Sequence, residues 1–261
     1  MTILRTQDVV AAALAGVLLS GSALAQHWSY EGEAAPQNWG KIDPNFIMCA
    51  IGKNQSPIDL SGLIEAQLEP LKLNYSAVAA EIRNHGHVSQ VGGADILNNG
   101  HTVQINYLPG STITVDGRAF ELKQFHFHSP SENRIGGKSF PLEAHLVHAD
   151  KTGNLAVIAV MFAEGAPNAF LATLWDKLPA NKGDKAALPA GLNAMQLLPV
   201  SKNYYRFNGS LTTPPCTEGV RWLVMKSPLS VSQAQVEQFS KAIGHSNNRP
   251  VQAVNARPLL K

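Results

Sequence analysis

The sequence predicts a mixed, predominantly β fold in a single domain with short peripheral helices. Three observations carry that expectation. The chain of 261 residues is long enough for one large core and short for two separate ones. From residue 71 to 128 it runs through short alternating apolar stretches, "LKLNY", "TVQINYLPG" and "STITVDGRAFELKQFHFH", broken by Gly, Asn, Pro and Asp. This is the pattern of half-buried strands joined by tight turns. Helical signatures are confined to two stretches, "NAFLATLWDKL" and "SVSQAQVEQFSKAI".

Taken in order, residues 1–25 read as a targeting segment: Arg5, the apolar run "VVAAALAGVLLS", and "ALA" at 23–25 as a small-residue cleavage site. The apolar stretch is shorter than the roughly 20 residues a membrane span needs. The expectation is therefore a periplasmic or secreted protein, with residues 26–261 as its one domain and no membrane anchor after cleavage. Residues 26–60 are rich in aromatic and turn residues, which predicts an irregular segment packed by Trp28 and Trp39 over the sheet. "VDGRAF" carries an Asp-Gly hairpin signal. "PLEAHLVHAD" and "NLAVIAVMFAE" read as two further strands, the second apolar throughout and so central and covered on both faces. "NAFLATLWDKL" begins at Asn168 as an N-cap, and "SVSQAQVEQFSKAI" begins at Ser230 or Ser232 and ends at Gly244. "EIRNHGHVSQV" (81–91) resembles "DILNNGHTVQI" (95–105), which reads as a duplicated strand.

The formal net charge is +2 with Lys and Arg scattered, so neither a nucleic-acid track nor a polybasic membrane patch is present, and a small or neutral ligand fits better. The only cysteines are Cys49 and Cys216, and in an exported chain an even count favours a disulfide over free thiols. Two cysteines cannot make a Cys-rich zinc site, so a metal would be held by histidine or carboxylate.

"QFHFHSP" (124–130) supplies the histidines. In a strand, His126 and His128 share one face while Phe125 and Phe127 share the other. Alone, such a pair is as well explained by two hydrogen-bonded imidazoles on a sheet surface. A third partner comes from "PLEAHLVHAD", where His145 and His148 lie on opposite faces and only one can join the pair. His145 shares its face with Glu143 and Val147, and the intervening "SPSENRIGGKSFPLEA" is long enough to return the chain antiparallel. Three neutral imidazole nitrogens leave one tetrahedral position open, the arrangement of catalytic zinc. Gln124 and Glu143 stand two residues before His126 and His145, where they can hold the other ring nitrogens. His85 and His87 form a competing pair, with Gly86 between them and no evident third ligand.

Across nearly the whole exported chain these segments resemble alpha-class carbonic anhydrases of the bacterial exported kind. The resemblance is carried by "HWSY" (27–30), "NQSPIDL" (54–60), "ILNNGHT" (96–102), "QFHFHSPSEN" (124–133), "PLEAHLVH" (141–148), "YYRFNGSLTTPPCTEGVRW" (204–222) and "NNRPVQ" (247–252). It implies a large central, mostly antiparallel sheet. It makes His126, His128 and His145 ligands of one Zn2+ per chain, with Gln124, Glu143 and the backbone near Asn247 behind them. Thr212 and Glu132 become an orienting pair, with Thr212 accepting the proton of a zinc hydroxide while donating its own to Glu132. CO2 would lie against Val147, Val157, Leu211, Val220 and Trp222, with Thr213 on the rim. His101 matches the proton shuttle, and Tyr30, Asn99 and Gln104 the residues holding water between zinc and shuttle. His87, in the similar "NHGHV", occupies the parallel place.

The same resemblance supports the Cys49–Cys216 bridge and implies reversible conversion of CO2 to bicarbonate, inhibition by anions and sulfonamides, a side esterase activity, and compatibility with a homodimer. Two rivals remain at this stage. One is a zinc ester or amide hydrolase, disfavoured because the sequence has no HExxH general-base motif. The other is a binding module that has lost its chemistry, disfavoured by the complete ligand set with Thr212 and Glu132.

Overall fold

A computed structural model of the protein describes residues 28–77 and 94–261. The targeting segment, His27, and the segment "EIRNHGHVSQV" with His85 and His87 lie outside the described residues.

The early strands are β1 (Asp59–Leu60), β2 (Lys72–Asn74), β3 (Asp95–Asn98), β4 (Val103–Asn106) and β5 (Thr112–Val115). The long strands of the middle are β6 (Arg118–His128), β8 (Leu142–Ala149) and β9 (Leu155–Glu164), with the short β7 (Arg134–Ile135) between the first two. β10 (Lys185–Ala187), β11 (Tyr204–Ser210), β12 (Glu218–Met225) and β13 (Leu229–Val231) complete the set. The helices are short: α1 (Trp39–Ile42), α2 (Met48–Ile51), α3 (Ala169–Trp175) and α4 (Gln233–Ile243).

An 11-stranded sheet runs β10-β3-β4-β6-β8-β9-β12-β11, with β13 added beside β9 and the β2-β5 pair joined through β6. All its pairings are antiparallel except β12 and β13 on β9. β1 and β7 form a separate parallel pair. As expected from its unbroken apolar run, β9 is covered on both faces. Ala156, Ile158, Val160 and Phe162 join one core cluster, and Val157, Ala159 and Met161 the other.

The helix signals hold at residue level. The Asn168 side chain accepts from the Leu171 amide, and Ser232 rather than Ser230 caps α4 within a capping box, Ser230 being in β13. Gly244 closes α4 in the left-handed region. α3 and α4 pack on the sheet's first face: the Phe127 ring lies 5.0 Å from Trp175 and 6.1 Å from Phe239. Asp116 and Gly117, with φ of 51° and 72°, turn the β5–β6 hairpin. Trp39 is buried and donates its indole N–H to the Ser29 and Ala34 carbonyls, which fixes the irregular N-terminal segment.

One expectation is corrected. "DILNNGHTVQI" is not a single strand but the hairpin of β3 and β4, pairing Asn98 with Val103. Its turn is built by the Asn99 side-chain oxygen, which accepts from the His101 and Thr102 amides, and by Gly100 at φ 82°.

β6 also does something that simple alternation misses. Phe120 and Leu122 face the first core cluster, and so do Phe125 and Phe127, a change of parity. The register with β8 shifts between Leu122 and Gln124, leaving Lys123 as the extra residue of a bulge. That bulge puts Gln124, His126 and His128 on the face opposite all four apolar residues.

His148 points to the opposite face from His145, as its position requires. Its Nδ1–H donates to the Ala156 carbonyl at 3.2 Å, so Nε2 accepts the Tyr75 hydroxyl at 2.6 Å. Burial lowers its pKa from the ordinary 6.5 to about 3. A histidine buried neutral binds a proton more readily once unfolded, so its contribution to stability is complete above pH 6.5 and declines as pH falls toward about 3. His148→Gln is expected to flatten the decline of urea-unfolding stability between those pH values. An unchanged slope would exclude His148 as a source of acid sensitivity.

Candidate metal centre

β6 and β8 lie antiparallel with His126 and His145 directly opposite, and His128 two residues along the same face. One nitrogen from each imidazole falls within 4.8 Å of the others. The remaining nitrogen of each ring is held. His126 Nδ1 donates to Gln124 Oε1 at 2.7 Å, His128 Nδ1 to the Asn247 carbonyl at 2.7 Å, and His145 Nε2 to Glu143 Oε1 at 2.9 Å. The lone pairs left for a metal are therefore Nε2 of His126, Nε2 of His128 and Nδ1 of His145.

The donor set fits a zinc ion. His128 Nε2 is buried with no hydrogen-bond partner. Burying such a group unpaired costs roughly 1–3 kcal/mol, a cost that a bound cation removes. Burial pushes His126 and His145 well below the usual imidazole range and His128 below it, so all three are neutral and ready to donate at neutral pH.

Glu143 is fully buried and does more than face His145. Its Oε2 accepts the Glu132 and Asn133 amides at 2.7 and 2.9 Å, and its Oε1 accepts Asn133 Nδ2 at 2.7 Å. Burial pushes its carboxyl up, against the Asn133 hydrogen bonds that pull it down. Glu132, also buried, has Oε1 bonded by the Arg249 amide at 2.8 Å and Oε2 at 3.5 Å from His128 Nε2. Burial raises its pKa well above the carboxylate range. The Arg249 amide, bonded to Oε1, and the neighbouring Thr212 hydroxyl oppose that rise, while Oε2 itself has no hydrogen-bond partner.

A cavity of about 120 Å³ opens from the histidines, lined by Trp28, Tyr30, Asn99, His101, Gln104 and Thr213 among others. Val147, Val157, Leu211, Val220 and Trp222 gather in the second core cluster. Val147 opposes Val157 and Val157 opposes Trp222 across β8, β9 and β12, and the Trp222 ring stands edge-on to His145 with centroids 4.9 Å apart. An apolar wall therefore reaches the metal-facing imidazoles. Of the residues singled out for the site, Tyr30, Asn99, His101, Gln104, Gln124, His126, His128 and Thr213 line the cavity.

Sequence reasoning missed several supports. Arg249 is buried and ties the N-terminal loops to Glu132, its guanidinium donating to Gln55 Oε1 at 2.9 Å, the Ser56 carbonyl at 2.7 Å and the Cys49 carbonyl at 3.1 Å. Its presence in "NNRPVQ" was the signal. The Asn247 side chain accepts from the Ser129 amide and donates to the His101 and Phe127 carbonyls, so one residue braces both His128 and the His101 turn. Trp28 stacks on His101 with centroids 3.8 Å apart.

Cys49 and Cys216 are bridged, across 167 positions of sequence. The Cys216 amide donates to the Thr213 carbonyl at 2.9 Å, and the Cys216 carbonyl accepts from Gln55. The bridge thus anchors the Thr212–Thr213 turn to the N-terminal loops. Cys49→Ser is expected to lower unfolding stability by about 2–5 kcal/mol, read by urea titration of oxidised protein. A change under about 0.5 kcal/mol, the range of ordinary surface substitutions, would refute the bracing role.

Residues 34–261 match the family model described as eukaryotic-type carbonic anhydrase. A carbonic anhydrase of Pectobacterium carotovorum is 47% identical over 252 residues, covering 95% of this chain and 97% of that protein. Among solved structures, a hyperthermostable carbonic anhydrase from a hydrothermal vent chimney is 52% identical with a TM-score of 0.82, covering 90% of this chain and 99% of its own. The alpha-carbonic anhydrase of Thermovibrio ammonificans, in complex with sulfanilamide, is 44% identical with a TM-score of 0.83 over the same shares. With the fold, the three-imidazole centre and these likenesses in agreement, the chain belongs to the eukaryotic-type, or alpha, carbonic anhydrase family.

Proposed function

We propose that this protein is an exported enzyme catalysing the reversible hydration of CO2 to bicarbonate and a proton, with His126, His128 and His145 as its zinc ligands. The observation that carries the reading is the convergence of three neutral imidazoles, each held through its other nitrogen, beside an apolar wall. Zinc, when bound, supplies the Lewis acidity that lowers the pKa of a water from about 15.7 to about 7, a magnitude established for carbonic anhydrases themselves.

The chain supplies the rest. Val147, Val157, Leu211, Val220 and Trp222 offer CO2 a site from which water is excluded. Thr212 stands beside Glu132, and a hydroxyl that gives its proton to that carboxylate presents only acceptor lone pairs toward the metal and orients whatever O–H group lies there. Thr213, on the cavity wall, adds a polar group at the rim. The proton leaves along water held by Tyr30, Asn99 and Gln104 to His101, an imidazole suited by residue type to exchange near neutral pH. Bicarbonate departs by exchange with water.

Export rests on the segment 1–25, with 26–261 as the catalytic domain, and is supported by the disulfide. No helix among the described residues is long and apolar enough to cross a membrane. Likeness to the sulfanilamide-bound relative extends sulfonamide binding to this site, and a zinc ion held by the three imidazoles would extend it to small anions.

Stopped-flow CO2 hydration tests the reading. The purified protein should carry one zinc per chain and hydrate CO2, lose activity to a chelator, regain it with zinc, and be inhibited by sulfanilamide. Hydration at the uncatalysed rate in zinc-replete protein would overturn it.

A further inference from the structure

His245 follows the left-handed Gly244 that ends α4, and its ring lies behind Tyr30, a residue of the cavity wall. Its Nε2 lies 3.3 Å from the Gly100 carbonyl, in the turn that carries His101, and its Nδ1 lies 3.0 Å from the Ser246 carbonyl. Tyr30, which lines the cavity, is flanked by both histidines, with ring centroids 6.5 Å from His101 and 5.7 Å from His245. The ring is half-buried, so water reaches it.

These contacts suit a group that changes protonation state. A neutral imidazole has one N–H and can donate to only one of the two carbonyls; the protonated ring donates to both. The protonated ring therefore satisfies both carbonyls, whereas the neutral ring leaves one nitrogen lone pair facing a carbonyl oxygen. Near it stand Tyr30 from the N-terminal segment, the Gly100 turn that carries His101, and Lys182, whose stem lies against Gly100; Lys241 is the basic residue in the last turn of the helix that precedes it.

We propose that His245 is a second proton relay beside the cavity wall, passing protons between the His101 side of the cavity and bulk buffer. The step is a transfer of one proton from a donor in the cavity to a neutral His245 nitrogen, and from the protonated ring to a buffer base. This rests on the hydration reading above.

Exchange of 18O between CO2 and water at chemical equilibrium separates the two rates concerned in the zinc-loaded enzyme: CO2–bicarbonate interconversion, and the proton-dependent release of labelled water. In His245→Asn the first should be unchanged and the second should fall roughly two- to fivefold, with partial restoration by added imidazole. His101→Ala should lower the second rate further, and the double variant should fall below His101→Ala alone. A structural disturbance near Asn247 would instead lower interconversion and resist rescue. Water release equal to wild type in His245→Asn, with the double variant equal to His101→Ala, would overturn the relay. Absence of both rates in the wild type would instead sink the hydration reading. Histidine-labelled NMR of the metal-free protein tests the contact without turnover: at one fixed pH, His101→Ala should shift the His245 ring resonances, because Tyr30 and the Gly100 turn link the two rings. Unchanged resonances would count against the coupling.

Discussion

His145→Ala is expected to abolish tight zinc binding and CO2 hydration, while His148→Ala retains both. The residues stand three apart on β8 and face opposite sides of the sheet. His145 directs Nδ1 toward the other two imidazoles and fixes that direction by donating Nε2–H to Glu143. His148 is committed to Tyr75 and the Ala156 carbonyl. Losing an outer partner of a zinc ligand costs roughly 10- to 100-fold in affinity or activity, and losing the ligand itself should exceed that. His148→Ala leaves the Tyr75 hydroxyl buried without its partner, so its cost should appear as stability, about 1–3 kcal/mol. Zinc content, hydration rate and urea unfolding of the two variants separate these outcomes. Equal loss of zinc from both would refute the strand-face argument.

The metal centre was legible because it is made of local pattern. Alternation in "HFH", the odd spacing of His145 from His148 and the preceding Gln124 and Glu143 are readable from side-chain direction in strands alone. What was hidden depends on register and on long-range return of the chain. The bulge at Lys123 is visible only as a parity change from Phe120 and Leu122 to Phe125 and Phe127, and its consequence depends on β8 lying alongside. The turn in "DILNNGHTVQI" was announced by Asn-Gly but outweighed by its likeness to residues 81–91. Thr212 and Glu132 are 80 residues apart in sequence, and only family resemblance linked them in advance. Arg249 and His245 reach the site from beyond α4, a connection that no local periodicity encodes.

Glu132→Gln is expected to keep zinc and lose most of the catalysis. Burial raises the Glu132 pKa, and a cation held by the neighbouring imidazoles opposes that rise; kept ionised, the carboxylate only accepts hydrogen bonds, so a Thr212 hydroxyl turned to it donates and leaves its acceptor lone pairs toward the metal. A glutamine amide offers both a donor and an acceptor. If its NH2 meets Thr212, the hydroxyl reverses and presents a proton to the reacting site. Glu132 is also held in place by the Arg249 amide on Oε1, and its backbone N–H is bonded to Glu143, so the substitution changes the hydrogen-bond sense with little room for relocation. Removing one preorganised polar contact of this kind costs about 10²- to 10³-fold in kcat, and that is the loss expected in kcat/KM for CO2 here. Thr212→Ala, which deletes the hydroxyl, should fall in the same range, and the double variant should be little worse than either single one because the two residues act as a unit. Zinc stoichiometry should remain at one per chain in all three. Near wild-type hydration in Glu132→Gln, or fully additive losses in the double variant, would show that Glu132 does not act through Thr212 and would leave it as a buried structural carboxylate.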